Sequence, residues 1–178
     1  QLTAYVANHT LTTPQMAAMT DTGVVLVNPA SPGALAWANP LGGIVLGNDQ
    51  ANTLYGRAGE DLLSAGAGND IVTGGLGNDR LFGGSGDDGL GGDDGADALF
   101  GGIGADALTG GAGDDSLTGG AGNDWYIGTR GADGSDTYYF NRGDGQDVID
   151  QNGSTNDTTD TLVFGEGILT SDVTVTRV

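Results

Sequence analysis

Aspartate recurs every nine residues through the middle of this 178-residue chain. The series comprises Asp61, Asp70, Asp79, Asp88, Asp97, Asp106, Asp115 and Asp124, and a large apolar residue stands two places after each of them. Carboxylate oxygens are the ligands that hard cations such as Ca²⁺ prefer, so the series predicts an all-oxygen metal site. Zinc and copper are disfavoured because the chain has no Cys and only one His, His9.

These aspartates belong to a nine-residue repeat rich in glycine. Its copies are GRAGEDLLS (56–64), AGAGNDIVT (65–73), GGLGNDRLF (74–82), GGSGDDGLG (83–91), GDDGADALF (92–100), GGIGADALT (101–109), GGAGDDSLT (110–118) and GGAGNDWYI (119–127). A weaker first copy, GNDQANTLY (47–55), has Asn52 in place of aspartate. Together the nine copies cover residues 47–127 and form the predicted central domain, between an N-terminal segment (1–46) and a C-terminal one (128–178).

The consensus G-G-x-G-x-D-x-U-x, where U is a large apolar residue, resembles the RTX nonapeptide of secreted bacterial calcium-binding proteins. Eight consecutive copies in register carry this resemblance, whereas one copy would mean little in a chain with 36 glycines. The resemblance implies an all-β fold, a right-handed parallel β-roll. In such a roll each nonapeptide makes a turn and a short strand, and two nonapeptides complete one coil.

Two nonapeptides per coil would stack residues that are 18 apart. The apolar stacks would be Leu54, Val72, Leu90, Leu108 and Tyr126 on one side and Leu63, Leu81, Leu99 and Leu117 on the other. Aspartates 18 apart should lie one strand spacing, about 4.8 Å, from each other with an ion between them. The predicted pairs are Asp61 with Asp79, Asp70 with Asp88, Asp79 with Asp97, Asp88 with Asp106, Asp97 with Asp115, Asp106 with Asp124 and, as a weaker seventh, Asn52 with Asp70.

Backbone carbonyls should complete the shell of each ion. Glycines permit positive φ and leave their carbonyls uncovered, so the turn can wrap closely around an ion. The candidate carbonyls are those of Gly66, Gly68, Gly75, Gly77, Gly84, Gly86, Gly95, Gly102, Gly104, Gly111, Gly113, Gly120 and Gly122. A flexible shell of six to eight oxygens favours Ca²⁺ over Mg²⁺, and we expect about six to seven Ca²⁺ ions in the regular repeats.

Charge makes the ion a condition of folding. Lys and Arg number 5 against 24 Asp and Glu, which gives a net charge of −19 that bound Ca²⁺ would largely cancel. Two carboxylates about 4.8 Å apart repel by roughly 3.5 kcal/mol at an effective dielectric of about 20. The predicted core is also thin. We therefore expect a largely disordered metal-free repeat region that folds as Ca²⁺ binds.

The C-terminal segment keeps the motif but loses the period. The degenerate copies GADGSDTYY (131–139), RGDGQDVID (142–150) and TNDTTDTLV (155–163) retain Asp136, Asp147 and Asp160 at the aspartate position. These three are either further metal ligands or ordinary turn residues. Their larger apolar neighbours suit a cap on the open end of the roll, because a terminal coil otherwise exposes strand edges.

The N-terminal segment is either a cap on the roll or the end of a preceding domain. Thr13 and Pro14 could start a short helix over Gln15–Met19. The runs Val24–Val27 and Ile44–Leu46 are typical of buried strands, and Trp37 could join a small hydrophobic cluster. We find no apolar run long enough for a membrane span and no N-terminal secretion signal.

Several other readings find little support in the residues. The constant spacing of the repeat argues against a low-complexity linker, since the apolar residue is always at position 8 of the nonapeptide. An EF-hand is disfavoured because its loop needs a Glu at the twelfth position, and no loop of this chain has one. No serine lies in a nucleophile motif, so we expect no enzyme activity in this chain. Nucleic acid is an unsuitable partner because the chain is acidic and has no Lys.

Two functions remain open. In the first, the chain is a calcium-triggered folding unit of a larger bacterial protein that is secreted to the medium or cell surface. The resemblance implies export by type I secretion machinery, through a C-terminal signal not visible here, and a parent such as a toxin, adhesin, protease, lipase or polysaccharide-modifying enzyme. In the second, the rolls associate with each other into a surface layer, matrix or filament.

Overall fold

A computed structural model of the chain is a parallel β-solenoid, and it describes residues 24–26, 34–38, 40–127, 134–150, 159–169, 171 and 173. Its described strands are β1 (Val24–Leu26), β2 (Ala34–Trp37), β3 (Ile44–Asn48), β4 (Asn52–Ala58), β5 (Leu62–Ala67), β6 (Ile71–Leu76), β7 (Arg80–Ser85), β8 (Gly89–Asp94), β9 (Ala98–Ile103), β10 (Ala107–Ala112), β11 (Ser116–Ala121), β12 (Trp125–Ile127), β13 (Thr137–Phe140), β14 (Val148–Asp150) and β15 (Thr161–Phe164). No helix among these residues is long and apolar enough to cross a membrane.

The strands alternate between two parallel sheets. Odd-numbered strands form one sheet in the order β1 to β15, and even-numbered strands form the other in the order β2 to β14. In the regular repeats the register between neighbouring strands is 18 residues, so that Leu63 pairs with Leu81 and Leu81 with Leu99. The prediction of a parallel β-roll with two nonapeptides per coil is therefore confirmed.

The core is the narrow space between the sheets. Side chains alternate along each strand, as a pleated strand requires, and the residue at position 8 points inward. All nine residues of the two predicted apolar stacks are at most 3 % exposed, and Ala36, Val45 and Tyr138 extend the stacks at their ends. Because each coil contributes two such side chains, the core is a double column, to which β5 adds the buried methyl group of Ala65.

A glycine follows each strand from β4 to β11 and turns the chain. In the repeat of residues 74–82, Gly75 has a φ of 115° and Gly77 a φ of 122°, both in the left-handed region that favours glycine. Space is equally restrictive, since a Cβ on Gly75 would collide with the carbonyl of Arg57 one coil below. Arg57 and Asp93 are the described non-glycine residues with positive φ, and both stand at position 2 of their repeats.

The N-terminal coils differ in part from the sequence prediction. Strands occur at both predicted runs, as β1 and β3, although Val27 and the predicted helix over Gln15–Met19 lie outside the described residues. Trp37 is not in a hydrophobic cluster, because it occupies an outward position next to buried Ala36 and is 43 % exposed. The Arg57 guanidinium lies 5.6 Å from its ring centroid instead.

Aromatic residues enlarge the core at the C-terminal end. The Tyr126 ring packs edge-on against Tyr138 at a centroid distance of 5.5 Å and against Phe140 at 5.4 Å. Phe140 stacks on Phe164 at 5.6 Å. The Tyr126 hydroxyl accepts a hydrogen bond from the N–H of Gly119 at 2.7 Å, so this buried phenol has a partner.

Candidate metal centre

The repeated aspartates lie in two rows of turns, one along each side of the roll where the chain passes between the sheets. The first row, at the turns before odd-numbered strands, contains Asp61, Asp79, Asp97 and Asp115. The second row contains Asn52, the first residue of β4, and Asp70, Asp88, Asp106 and Asp124, at the turns before β6, β8, β10 and β12. Consecutive aspartates of the sequence therefore alternate between rows, and neighbours within a row are 18 residues apart.

Each row is a continuous ladder of hydrogen bonds. The Oδ1 atom of each aspartate accepts from the backbone N–H of the row member one coil earlier, as between Asp61 N–H and Asp79 at 2.8 Å. The bond from Asp88 N–H to Asp106, at 2.9 Å, is its counterpart in the second row. The same contact links Asn52 with Asp70, Asp70 with Asp88, Asp79 with Asp97, Asp97 with Asp115, and Asp106 with Asp124. All seven predicted pairs are thus neighbours in the structure.

The second carboxylate oxygen has no such partner. In all eight repeated aspartates, from Asp61 to Asp124, Oδ2 is buried and without a hydrogen bond. The residues themselves are at most 3 % exposed. An unpaired charge in this environment costs several kcal/mol unless a proton or a cation neutralises it. Each such atom is therefore a position at which a proton or a cation would stabilise the fold.

The pKa values of these carboxyl groups also show that burial disfavours their charged form. Burial, the largest cause, raises the pKa of Asp79, Asp88, Asp97, Asp106 and Asp124 from 3.8 to about 6, although a backbone hydrogen bond opposes the shift. Repulsion from neighbouring carboxylates adds to it. For Asp115 the pKa rises to about 7. Without a cation, the folded roll retains protons that an unfolded chain would release.

The glycine at position 1 provides the space for Oδ2. A Cβ built on Gly56 would lie 2.7 Å from Oδ2 of Asp61. One built on Gly74 would collide with Oδ2 of Asp79 and lie 2.8 Å from the carbonyl oxygen of Gly92 in the next coil. We call this space the cradle. It is bounded by a position-1 residue, by the aspartate of the same repeat and by the carbonyl of the position-1 residue one coil later. It brings a carboxylate oxygen and a carbonyl oxygen together.

The candidate glycine carbonyls fall into two groups. Those at position 2, Gly66, Gly75, Gly84, Gly102, Gly111 and Gly120, lie within paired strands. Those at position 4, Gly68, Gly77, Gly86, Gly95, Gly104, Gly113 and Gly122, lie in the turns. Among the latter, within the described residues, Gly113 accepts a backbone hydrogen bond, from Gly134 at 3.1 Å, and the other six accept none. The carbonyl oxygens at position 4 are therefore more available to an ion than those at position 2.

This donor set suits Ca²⁺. No group of three or more His, Cys, Asp and Glu side chains within the described residues could hold a metal by itself, so backbone oxygens must contribute to any site. Buried carboxylate oxygens without hydrogen-bond partners and uncovered turn carbonyls meet that need. All are hard oxygen ligands in a flexible turn, which Ca²⁺ accommodates better than Mg²⁺.

A second set of turn side chains escaped the sequence analysis. At position 5, Asn69 accepts a hydrogen bond from Asp87 N–H one coil later, at 3.1 Å, and Asp87 accepts one from Ala105 N–H at 2.9 Å. The same contact is made by Asn78, Asp114 and Asn123. These bonds join neighbouring turns without an ion. Their signal in the sequence is Asn or Asp directly before the repeated aspartate.

The degenerate copies continue both rows in spite of their irregular spacing. Asp136 accepts from Asp115 N–H and Asp160 accepts from Asp136 N–H, each at 3.0 Å, which extends the first row. Asp147 accepts from Asp124 N–H at 3.0 Å and extends the second. The register of both rows is therefore kept. Metal binding by these three residues stays a prediction.

Comparison with known proteins agrees with this geometry. The family model for the RTX calcium-binding nonapeptide repeat, which spans four copies, matches residues 46–81, 64–99 and 100–134. The matched region, 46–134, is half of the chain and coincides with the coils that carry the two rows. A search of curated proteins found no match.

Asp88→Asn should weaken two ion sites, because Asp88 is shared with Asp70 on one side and Asp106 on the other. Each site lost would remove roughly 2.7 kcal/mol of stabilisation when Ca²⁺ is about a hundredfold above its dissociation constant. Calorimetric titration of the Ca²⁺ stoichiometry, with thermal unfolding in Ca²⁺, measures both effects. Asp87→Asn is the matched control, since exposed Asp87 keeps its Oδ1 acceptor as Asn. An unchanged stoichiometry in Asp88→Asn would contradict shared sites.

Acid should partly replace Ca²⁺. Because the pKa values of the buried carboxyl groups are higher in the folded roll than in the unfolded chain, the metal-free roll gains stability as pH falls. That stability is complete below the unfolded pKa near 4 and is lost as pH rises through about 6 to 7. Circular dichroism of the EDTA-treated chain should therefore show more β-structure at about pH 5 than at about pH 8. The opposite trend, or none, would contradict the pKa values.

Proposed function

Because the chain belongs to the family of proteins built on RTX calcium-binding nonapeptide repeats, we propose that it is a calcium-triggered folding unit of a larger secreted bacterial protein. The repeats are calcium-binding modules, and such repeats are typical of secreted or extracellular bacterial proteins. The observation that carries the proposal is the set of eight buried Oδ2 atoms without hydrogen-bond partners. A fold that buries such atoms requires a cation to be stable at neutral pH.

The coupling of folding to the ion follows from where the charges lie. The carboxylates of a row belong to successive coils, so their repulsion opposes the stacking of those coils. A cation between two carboxylates attracts both and turns this repulsion into a net attraction between the coils. The ligands meet only when the strands are paired. Binding energy is therefore folding energy, as in other small domains that are held together by metal.

Calcium concentration would then act as the switch between export and function. Extracellular calcium modules bind weakly, in the range of about 10⁻⁴ to 10⁻³ M, so they stay empty in the cytosol and fill outside the cell. An unfolded, acidic and Cys-free chain is suited to passage through type I secretion machinery. Beyond the roll itself, the activity would belong to a parent toxin, adhesin, protease, lipase or polysaccharide-modifying enzyme.

Titration with Ca²⁺ should convert the EDTA-treated chain from a largely disordered state to β-structure. Far-ultraviolet circular dichroism at about pH 7.5, over roughly micromolar to millimolar Ca²⁺, measures the transition. Mg²⁺ at equal concentration is the control and should be far less effective, because it demands a more exact octahedral shell. A chain already rich in β-structure in EDTA at this pH, and unchanged by Ca²⁺, would refute the proposal.

Self-association is a second candidate, favoured by the exposed apolar residues of the last coil. Leu162 stands at position 8, an interior position elsewhere, and is 48 % exposed on β15, the last strand of its sheet among the described residues. Phe164 on the same strand is 41 % exposed. A second roll stacked end to end would cover both residues and pair the strand edge.

Light scattering during the Ca²⁺ titration separates the two candidates. A compact monomer at millimolar Ca²⁺ supports the folding unit alone, and ordered polymer supports assembly. If polymer forms through the last coil, Leu162→Asp should abolish it, whereas Thr161→Asp, at an exposed neighbour on the same strand, should not. Polymer that persists in Leu162→Asp would place the contact elsewhere.

A further inference from the structure

The second row departs from the first at its N-terminal end, where Asn52 replaces aspartate. Its side chain is 2 % exposed, as deeply buried as the carboxylates of the row. Both polar atoms of its amide are hydrogen bonded: Oδ1 accepts from the N–H of Asn48 at 2.8 Å, and Nδ2 donates to Oδ1 of Asn48 at 3.1 Å. Asn48 Oδ1 also accepts from Gln50 N–H at 2.8 Å. This turn is closed by amide hydrogen bonds, with no buried oxygen left over.

The amide oxygen of Asn52 occupies the place that Oδ2 occupies in the other repeats. A Cβ built on Gly47, the position-1 residue of this copy, would collide with Oδ1 of Asn52 and with the carbonyl oxygen of Ala65. The cradle of this copy therefore has the same shape as the others, but it contains a neutral amide oxygen in place of a carboxylate oxygen. A neutral oxygen that already accepts an N–H attracts a cation less than a free carboxylate oxygen does.

A second departure lies in the next repeat of the same row. Ala65 stands at position 1, where the other eight copies have glycine, and its side chain is fully buried. In the glycine copies a Cβ at this position would come within 2.7 Å of the aspartate Oδ2. Asp70 nevertheless keeps the contacts of the other aspartates: its Oδ1 accepts from Asn52 N–H at 2.7 Å, and its Oδ2 is buried without a hydrogen bond. The pair Asn52–Asp70 therefore differs from the other six pairs in the neutral, hydrogen-bonded amide of Asn52, and it has the methyl group of Ala65 beside it.

We infer that the Asn52–Asp70 pair binds no Ca²⁺ and that the amide pair of Asn52 with Asn48 takes the place of the ion. The two ion rows then begin at Asp61 and Asp70, half a coil apart. Six shared sites remain in the regular repeats: three in the first row, from Asp61 to Asp115, and three in the second, from Asp70 to Asp124. This inference rests on the proposed function, since it takes Ca²⁺ as the ion that the rows bind.

Calorimetric Ca²⁺ stoichiometry of three variants of the full chain tests the inference. Asn52→Ala should bind as many ions as the wild type, because no ion is lost with the amide. Asn52→Asp combined with Ala65→Gly gives this pair the residues of the regular repeats and should bind one ion more, a gain that misfolding cannot imitate. Asp61→Asn, which places an amide at the end of the first row, should bind one ion fewer.

The outcomes separate this inference from the proposed function. One ion fewer in Asn52→Ala, or no gain in the double variant while Asp61→Asn loses one, would overturn the inference and leave calcium-dependent folding intact. A wild-type chain that binds no Ca²⁺, or an Asp61→Asn variant with the full count, would overturn the shared-site geometry and the inference with it. Circular dichroism in saturating Ca²⁺ verifies that each variant forms the roll.

Discussion

The burial of a carboxylate oxygen that has no hydrogen-bond partner is the constraint around which this roll is built. One oxygen of each repeated aspartate is used to join neighbouring coils, and the other faces the interior with nothing to neutralise it. A purely structural turn would place an amide or hydroxyl there, as Asn52 does at one end of the second row. The retained carboxylates make stability conditional on the pH and on the cations of the surrounding solution, which a purely structural turn would not.

Other features of the repeat follow from that constraint. Position 1 is glycine because the inward carboxylate needs the volume that a Cβ would fill. The interior is then shared between carboxylates near the turns and the apolar side chains at position 8, so the core stays thin. Such a core cannot offset the entropy of ordering so many residues by itself. The ion thus contributes cohesion that a thicker hydrophobic core would supply in an ordinary β-sandwich.

Regularity determined how far the sequence could be interpreted. The period of nine and the resemblance it carries are enough to predict the parallel roll, the 18-residue register and the nine residues of the regular apolar stacks. Prediction was weakest where the period fails. The hydrophobic cluster predicted for Trp37 is wrong, because the register of β2 turns Trp37 outward and Ala36 inward. The position-5 ladder and the pairing of Asn52 with Asn48 depend on the path of individual turns, which spacing does not encode.

The alternation of consecutive aspartates between the two rows bears on how such arrays evolve. A coil consumes two nonapeptides, but both sheets present the same residue types at the same positions. Loss or duplication of one nonapeptide would transfer every later repeat to the opposite sheet, where it would meet equivalent neighbours. The gene can therefore change length in steps of half a coil, and the tolerance of inserted residues before Asp136, Asp147 and Asp160 shows that even these steps need not be uniform.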